Sequence, residues 1–297
     1  MQPDLTVLNK QAIATAREYT GGVALPTVLL TAAVLLAFIG NLALFAGGWM
    51  PLWAAIALYA VLTYVSYTPL HEAAHGNIHG GRDELQWLND LCGYLVAPLI
   101  MVPFSTHKVE HFTHHRYTNQ PDKDPDYLAR GMSKGLLAFV IHSAQFLWTQ
   151  NTFLFREYWA TATRREKFIY WMEVGFALGW RVAFLLLVAR DGTGAMLLIG
   201  YLTGAFFTVY WFAYRPHHPY EESARYRTTS SLIMPPWMKP LEWFWFGQNL
   251  HSIHHLFPRV PFYRYHAVHR RIEPILRAHG TPIIGIFSRE NVGALQG

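Results

Sequence analysis

Sixteen histidines fall within 297 residues, and most of them stand in short clusters. His71 and His75 belong to H-E-A-A-H, His111, His114 and His115 to H-F-T-H-H, and His251, His254 and His255 to H-S-I-H-H; His217 and His218 sit together in P-H-H-P. On a helix, residues at i, i+3 and i+4 share one face, so each of the first three clusters can aim its imidazoles at a common point. Burying eight or nine imidazoles together without a metal would leave many ring nitrogens unsatisfied. One ion takes four to six ligands, so this number points to two ions, and imidazole suits zinc, iron, copper and nickel alike. Isolated His142, His266, His269 and His279 read as ordinary polar residues.

Taken alone, H71EAAH75 fits two chemistries. As H-E-x-x-H it would hold one zinc, with Glu72 as the general base of a metalloprotease. As H-x-x-x-H it is one corner of a larger cage. The protease leaves both H-x-x-H-H clusters without a role, whereas the cage uses every cluster and makes Glu72 a supporting residue. A metal storage or transport protein is a third class, but it would need polar residues along its spans, and residues 25–46 and 51–70 offer no such path.

The elements that position these clusters are membrane helices. The chain is 52% hydrophobic and 15% aromatic but only 14% charged, which suits lipid better than water. The net charge of +5 does not indicate nucleic acid, because the basic residues flank apolar runs instead of forming a stripe. The lone cysteine, Cys92, excludes an intramolecular disulfide framework or a Cys-rich metal site; it lies in an apolar run and reads as packing.

A helix needs about 20 apolar residues to cross a bilayer. Residues 25–46, 51–70 and 193–214 meet this without a charge, and 168–189 does so with Glu173 and Arg181 inside it. Tight connections at Gly47-Gly48 and Asp191-Gly192 predict two helical hairpins. Pro69 is expected to kink the second span and restart the helix that carries His71. Residues 85–103 are apolar but contain Asn89, Asp90 and Pro98. A fifth span there would separate the histidines across the bilayer, so the stretch is expected to be interfacial or re-entrant. Apart from Arg181 and Arg190, the Lys and Arg residues fall on one side, predicted to be the cytoplasm of the inner or plasma membrane, with both termini and the metal site there. A cleavable signal peptide is not expected, because residues 1–22 are polar. The fold expected is therefore an all-α integral membrane protein: one domain over 1–297, with four transmembrane helices in two hairpins and a cytoplasmic helical cap (71–167 and 215–297) carrying the di-metal site. Arg181 would pair with a carboxylate, enter a protein-lined cavity or touch substrate.

With this topology the three clusters resemble the histidine boxes of the membrane fatty-acid desaturase and hydroxylase superfamily, over roughly residues 51–278. The stretches "HFTHHRYTNQPDKDPDY" (111–127), "YRPHHPYEESARY" (214–226) and "GQNLHSIHHLFPRVPFYRYH" (247–266) are most similar to bacterial and cyanobacterial carotenoid β-ring hydroxylases, with the ketolases nearby. The resemblance implies two irons, molecular oxygen and electrons from a separate donor such as a ferredoxin. It carries over eight box histidines as ligands and His217 as a ninth, with His218 departing from the usual pattern; His79 and His107 lie near enough to assist. It further implies that Asp124, Asp126 and Glu110 orient imidazoles and that Asn249 orders a metal-bound water. Arg164, Arg165, Lys167, Arg270, Arg271 and Arg277 would dock an acidic donor, or in the first cluster anionic lipid. The implied activity is hydroxylation of a carotenoid ring, with fatty-acyl desaturation as the alternative; both need the same irons and differ in the cavity.

Overall fold

The computed structural model describes residues 4–188, 190–288 and 290–292. Four stretches are long and apolar enough to cross a membrane: α2 (Leu25–Ala46), α3 (Leu52–Ala74), α7 (Arg164–Leu187) and Thr193–Tyr214, in which α8 (Thr193–Thr208) runs on into a π-helical turn. α2 and α7 turn Leu29, Leu36, Ile39, Phe176, Leu186 and Leu187 outward, a surface that only lipid would solvate cheaply. α3 and α8 are the inner pair. They approach closely because Gly200 and Gly204 sit one turn apart: a Cβ on Gly204 would fall 2.3 Å from the Ala60 carbonyl oxygen, and one on Gly200 2.6 Å from Tyr59. Asn41 crosses from α2 to donate to the Ala55 carbonyl at 3.1 Å.

Three expectations change in detail. Pro69 lies inside α3, which continues to Ala74, so His71 rides on the spanning helix itself and no new helix is started. α7 begins at Arg164 instead of residue 168, because Thr163 and Glu166 form a reciprocal cap: Thr163 Oγ1 accepts from Glu166 N–H and Glu166 Oε2 from Thr163 N–H. Its apolar stretch is helical to Leu187, and position 189 lies outside the described residues. Among the described residues Arg181 meets no carboxylate; its guanidinium donates to the Pro98, Leu99 and Ala177 carbonyls.

The ambiguous stretch forms α4 (Gln86–Ile100), which meets α5 (Phe104–Tyr117) at 96°. α6 (Leu136–Phe153) packs beside α5 and α8. The C-terminal part folds as short 3₁₀ turns, α9 (His251–Leu256) and α10 (Tyr265–Ala278), with β1 (Ser231–Ile233) paired in parallel to β2 (Ile283–Gly285), Ser231 opposite Ile283. α1 (Leu5–Arg17) lies on α10, burying Ala12 and Ala16, and Tyr226 Oη donates to Asn9 at 2.9 Å.

Candidate metal centre

Three helices and one turn meet at the C-terminal end of α3. α3 contributes His71 from its last turn and His75 from its C-cap, α5 contributes His111, His114 and His115 from one face, and α9 contributes His251, His254 and His255. His217 comes from the turn after the π-helix. The Nε2 atoms turn inward. His75 to His111 is 2.9 Å, His111 to His115 3.1 Å, His115 to His254 2.7 Å and His254 to His71 3.0 Å, a continuous chain of five nitrogens. Beside it, His114 to His255 is 3.3 Å and His217 to His251 3.0 Å.

These distances test the fit to a metal. Two nitrogens bound at about 2.1 Å and at right angles would lie ~3.0 Å apart, so contacts of this size are the edges expected of a coordination shell. The ligating atoms sort into His71, His75, His111 and His254 around one point and His114, His217 and His255 around another, with His115, His254 and His255 forming a third group that links them. Two adjacent ions are what this arrangement can hold. All donors are nitrogens, which suits iron, zinc or copper and excludes an iron–sulfur cluster.

The electrostatics favour ligation. Burial, reinforced by neighbouring imidazoles, holds His217, His254 and His255 well below the usual histidine range and His251 at about 3, so they stay neutral, the form that binds metal. His114 differs. Burial pulls it down too, but Asp124 and Asp126 outweigh this and hold it at about 9. Its Nδ1 is 2.7 Å from Asp124 Oδ1, and since a carboxylate only accepts, the Nδ1 proton is fixed there while Nε2 faces the cluster. Asp124 is itself held by the N–H groups of Asn119 and Asp126. Burial raises Glu110 to about 7, and burial with the nearby Glu110 raises Asp126 well above the carboxylate range, so this pair of carboxyls tends to hold a proton beside the cage.

Glu72 decides between the two readings of H71EAAH75. Its carboxylate accepts from Asn77 Nδ2 and from the Phe262 N–H, both at 3.2 Å, and so ties the first histidine motif to the loop after α9. It does not face the cage, as a protease base would have to. His217 joins the cluster, whereas His218 stacks on Tyr214 with ring centres 5.0 Å apart. His107 stacks on His111 and bonds Gln150 through Nδ1 at 3.1 Å, and neither it nor His79 belongs to a ligand group among the described residues. Asn249 directs its amide nitrogen to the Leu232 carbonyl and Glu242, while its buried Oδ1 has no hydrogen-bond partner among the described residues. His279 stacks on Tyr226 and His266 lies 4.0 Å from Glu242, in keeping with ordinary polar roles. Sequence reasoning gave no hint of Tyr265, whose Oη lies 3.2 Å from His254 Nδ1 and orients that ring from α10. Nothing in a lone tyrosine eleven residues on distinguishes it from core packing.

A narrow cleft with a cavity volume of about 30 Å³ opens on the cage. Its walls are Ile100, Val102, Phe146, Leu147, Ala205 and Val209, and its inner end is His107, His111, His114 and His251. The arrangement sets a mostly apolar cleft against a site that can hold a metal pair.

A family profile described as Fatty acid desaturase matches residues 47–287. Similar proteins include an endoplasmic-reticulum omega-3 fatty acid desaturase of Nicotiana tabacum, 23% identical over 269 residues, covering 75% of this chain and 66% of that protein. An sn-1 oleoyl-lipid 12-desaturase of Anabaena variabilis is 22% identical over 250 residues, covering 74% and 69%. A shorter match, 28% over 75 residues covering 25% and 21%, is to a ferredoxin-dependent sn-1 acyl-lipid omega-3 desaturase of Nostoc sp. (strain 36). The carotenoid hydroxylases that the sequence motifs suggested gain nothing from these relatives. The family profile spans all three histidine motifs, which the fold gathers at a single centre, and the chain belongs to the fatty acid desaturase family.

Proposed function

We propose that this chain is an integral-membrane, di-iron fatty-acyl desaturase that removes two hydrogens from adjacent methylenes of an acyl chain, using molecular oxygen. The observation that carries the proposal is the histidine cage, on which a narrow, mostly apolar cleft ends. Two irons held by His71, His75, His111, His114, His115, His217, His251, His254 and His255 would supply the O₂-dependent oxidation of an unactivated C–H bond, for which side chains alone have no means. The apolar side chains of the cleft favour an acyl chain over water beside the cage, and Asp124 and Tyr265 fix two of the imidazoles. Oxygen becomes two waters by taking two hydrogens from the substrate and two electrons with two protons from elsewhere, so an external donor is required.

A ferredoxin-type donor is consistent with the Nostoc relative's printed name. The basic face available to it is smaller than the sequence suggests, since Arg271 pairs with Glu18 and Arg277 with Glu273. In the Arg164, Arg165 and Lys167 cluster, Lys167 lies 5.2 Å over the Trp159 ring, which packs on Trp171. An aromatic belt with cations beside it suits lipid headgroups better than a protein partner. The whole chain acts as one domain, with α2–α3 and α7–α8 as hairpins and the cage and termini on the cytoplasmic side.

Expression in cells that also accumulate β-carotene, followed by mass analysis of acyl chains and pigments, tests the substrate. New acyl double bonds with unchanged pigment are expected, together with about two irons per purified chain. Pigment gaining oxygen while acyl chains stay unchanged would restore the carotenoid reading.

A further inference from the structure

α7 carries two charges inside an otherwise apolar span, Glu173 and Arg181, and they do not contact each other. Eight residues separate them, about 12 Å along the helix. Arg181 is buried, with Nη1 at 2.8 Å from the Pro98 carbonyl and Nη2 at 3.0 Å from the Leu99 carbonyl, two of the acceptors left open in the last turn of α4. Its guanidinium also lies 4.4 Å from the Trp180 ring centre. Glu173 grips the other side of the bend: its carboxylate accepts from the N–H groups of Phe104 and Ser105 and from Ser105 Oγ, at the first turn of α5. The residue before that turn, Pro103, offers no side-chain cap.

Each charge therefore matches the helix end it meets, the cation at a C-terminus and the anion at an N-terminus. At membrane depth no bulk water replaces either partner, so both helix ends depend on α7. The bend they hold turns the chain by 96° and aims α5, with His111, His114 and His115, at the cage.

We propose that Glu173 and Arg181 are positioning residues that clamp the α4–α5 corner from two turns of α7 and so set the approach of the second histidine motif to the metal centre. The clamp is independent of which substrate the cavity takes. It also explains why two ionisable residues persist in a span where each is costly when unpaired.

The test is hydrogen exchange, read by mass spectrometry, on the purified full chain reconstituted in lipid, comparing the unsubstituted protein with Glu173→Gln and Arg181→Lys. These variants keep size and, for Lys, charge, but cannot reproduce the paired hydrogen bonds. Exchange over residues 97–110 is expected to rise about tenfold with residues 196–208 unchanged, and iron retained per chain is expected to fall. Arg181→Met should be worse than Arg181→Lys, a graded rescue by charge. Phe176→Ala, on the outward face of α7, serves as the control and should change neither reading. Unchanged exchange at the corner overturns the clamp, as does a uniform rise across the whole chain or failure of even the two conservative variants to fold, since either would make these residues general stabilisers.

Discussion

Asp124 holds His114 through a 2.7 Å contact between Oδ1 and Nδ1, and both side chains are almost fully buried. A carboxylate behind a ligating imidazole fixes its ring and strengthens its other nitrogen as a donor. Asp124→Asn should therefore lower iron affinity or turnover by about 10- to 100-fold while the chain still inserts in the membrane. Iron retained after dialysis, measured with turnover, checks this; retention equal to the unsubstituted protein would remove Asp124 from the site.

Glu72→Gln separates the cage from a zinc protease. The carboxylate bonds Asn77 and the Phe262 N–H, so the substitution should cost about 1 kcal/mol of stability through a weakened hydrogen bond. Turnover per bound iron should stay within a factor of about two, because no contact with the reacting centre is lost. Complete loss of activity with iron fully bound would show Glu72 acting in the chemistry.

His217 and His218 should behave oppositely on replacement by Ala. His217 places Nε2 3.0 Å from that of His251, so its loss opens the second metal position and should abolish turnover and reduce iron. His218 stacks on Tyr214, and its loss should leave activity within a few-fold of the unsubstituted protein. Iron content and turnover of the two purified variants decide the matter.

Gly204→Leu should prevent the inner helix pair from forming. Even a Cβ there would lie 2.3 Å from the Ala60 carbonyl, a backbone atom that cannot move aside cheaply. Loss of a monodisperse peak in detergent, or a fall in Tm of several degrees or more, is the expected result.

Ala205 lines the cavity at its apolar side, and Ala205→Phe should fill part of it. The expected outcome is a shift toward shorter acyl chains, or a double bond displaced along the chain, with iron content unchanged. Gas chromatography of the cellular lipids reads this out, and an unaltered product profile would mean that the substrate lies elsewhere.

The sequence by itself determined the four candidate spans and the ligand clusters. Both are local properties: an uncharged apolar run of about 20 residues is long enough to cross a bilayer, and histidines at i, i+3 and i+4 share a helix face whatever surrounds them. The odd character of residues 85–103 was legible too, because Asn89, Asp90 and Pro98 interrupt their apolar run. Tertiary structure alone decided which residues support those clusters. Glu72 finds the Phe262 N–H 190 residues away, Arg181 finds Leu99 82 residues away, and Tyr265 reaches His254 from a different helix. It also chose His217 over His218, adjacent residues of one type that only the direction of the turn after the π-helix separates. No pattern of spacing encodes such partners, because a hydrogen bond between distant segments depends on how helices pack, and packing is settled by the whole chain at once.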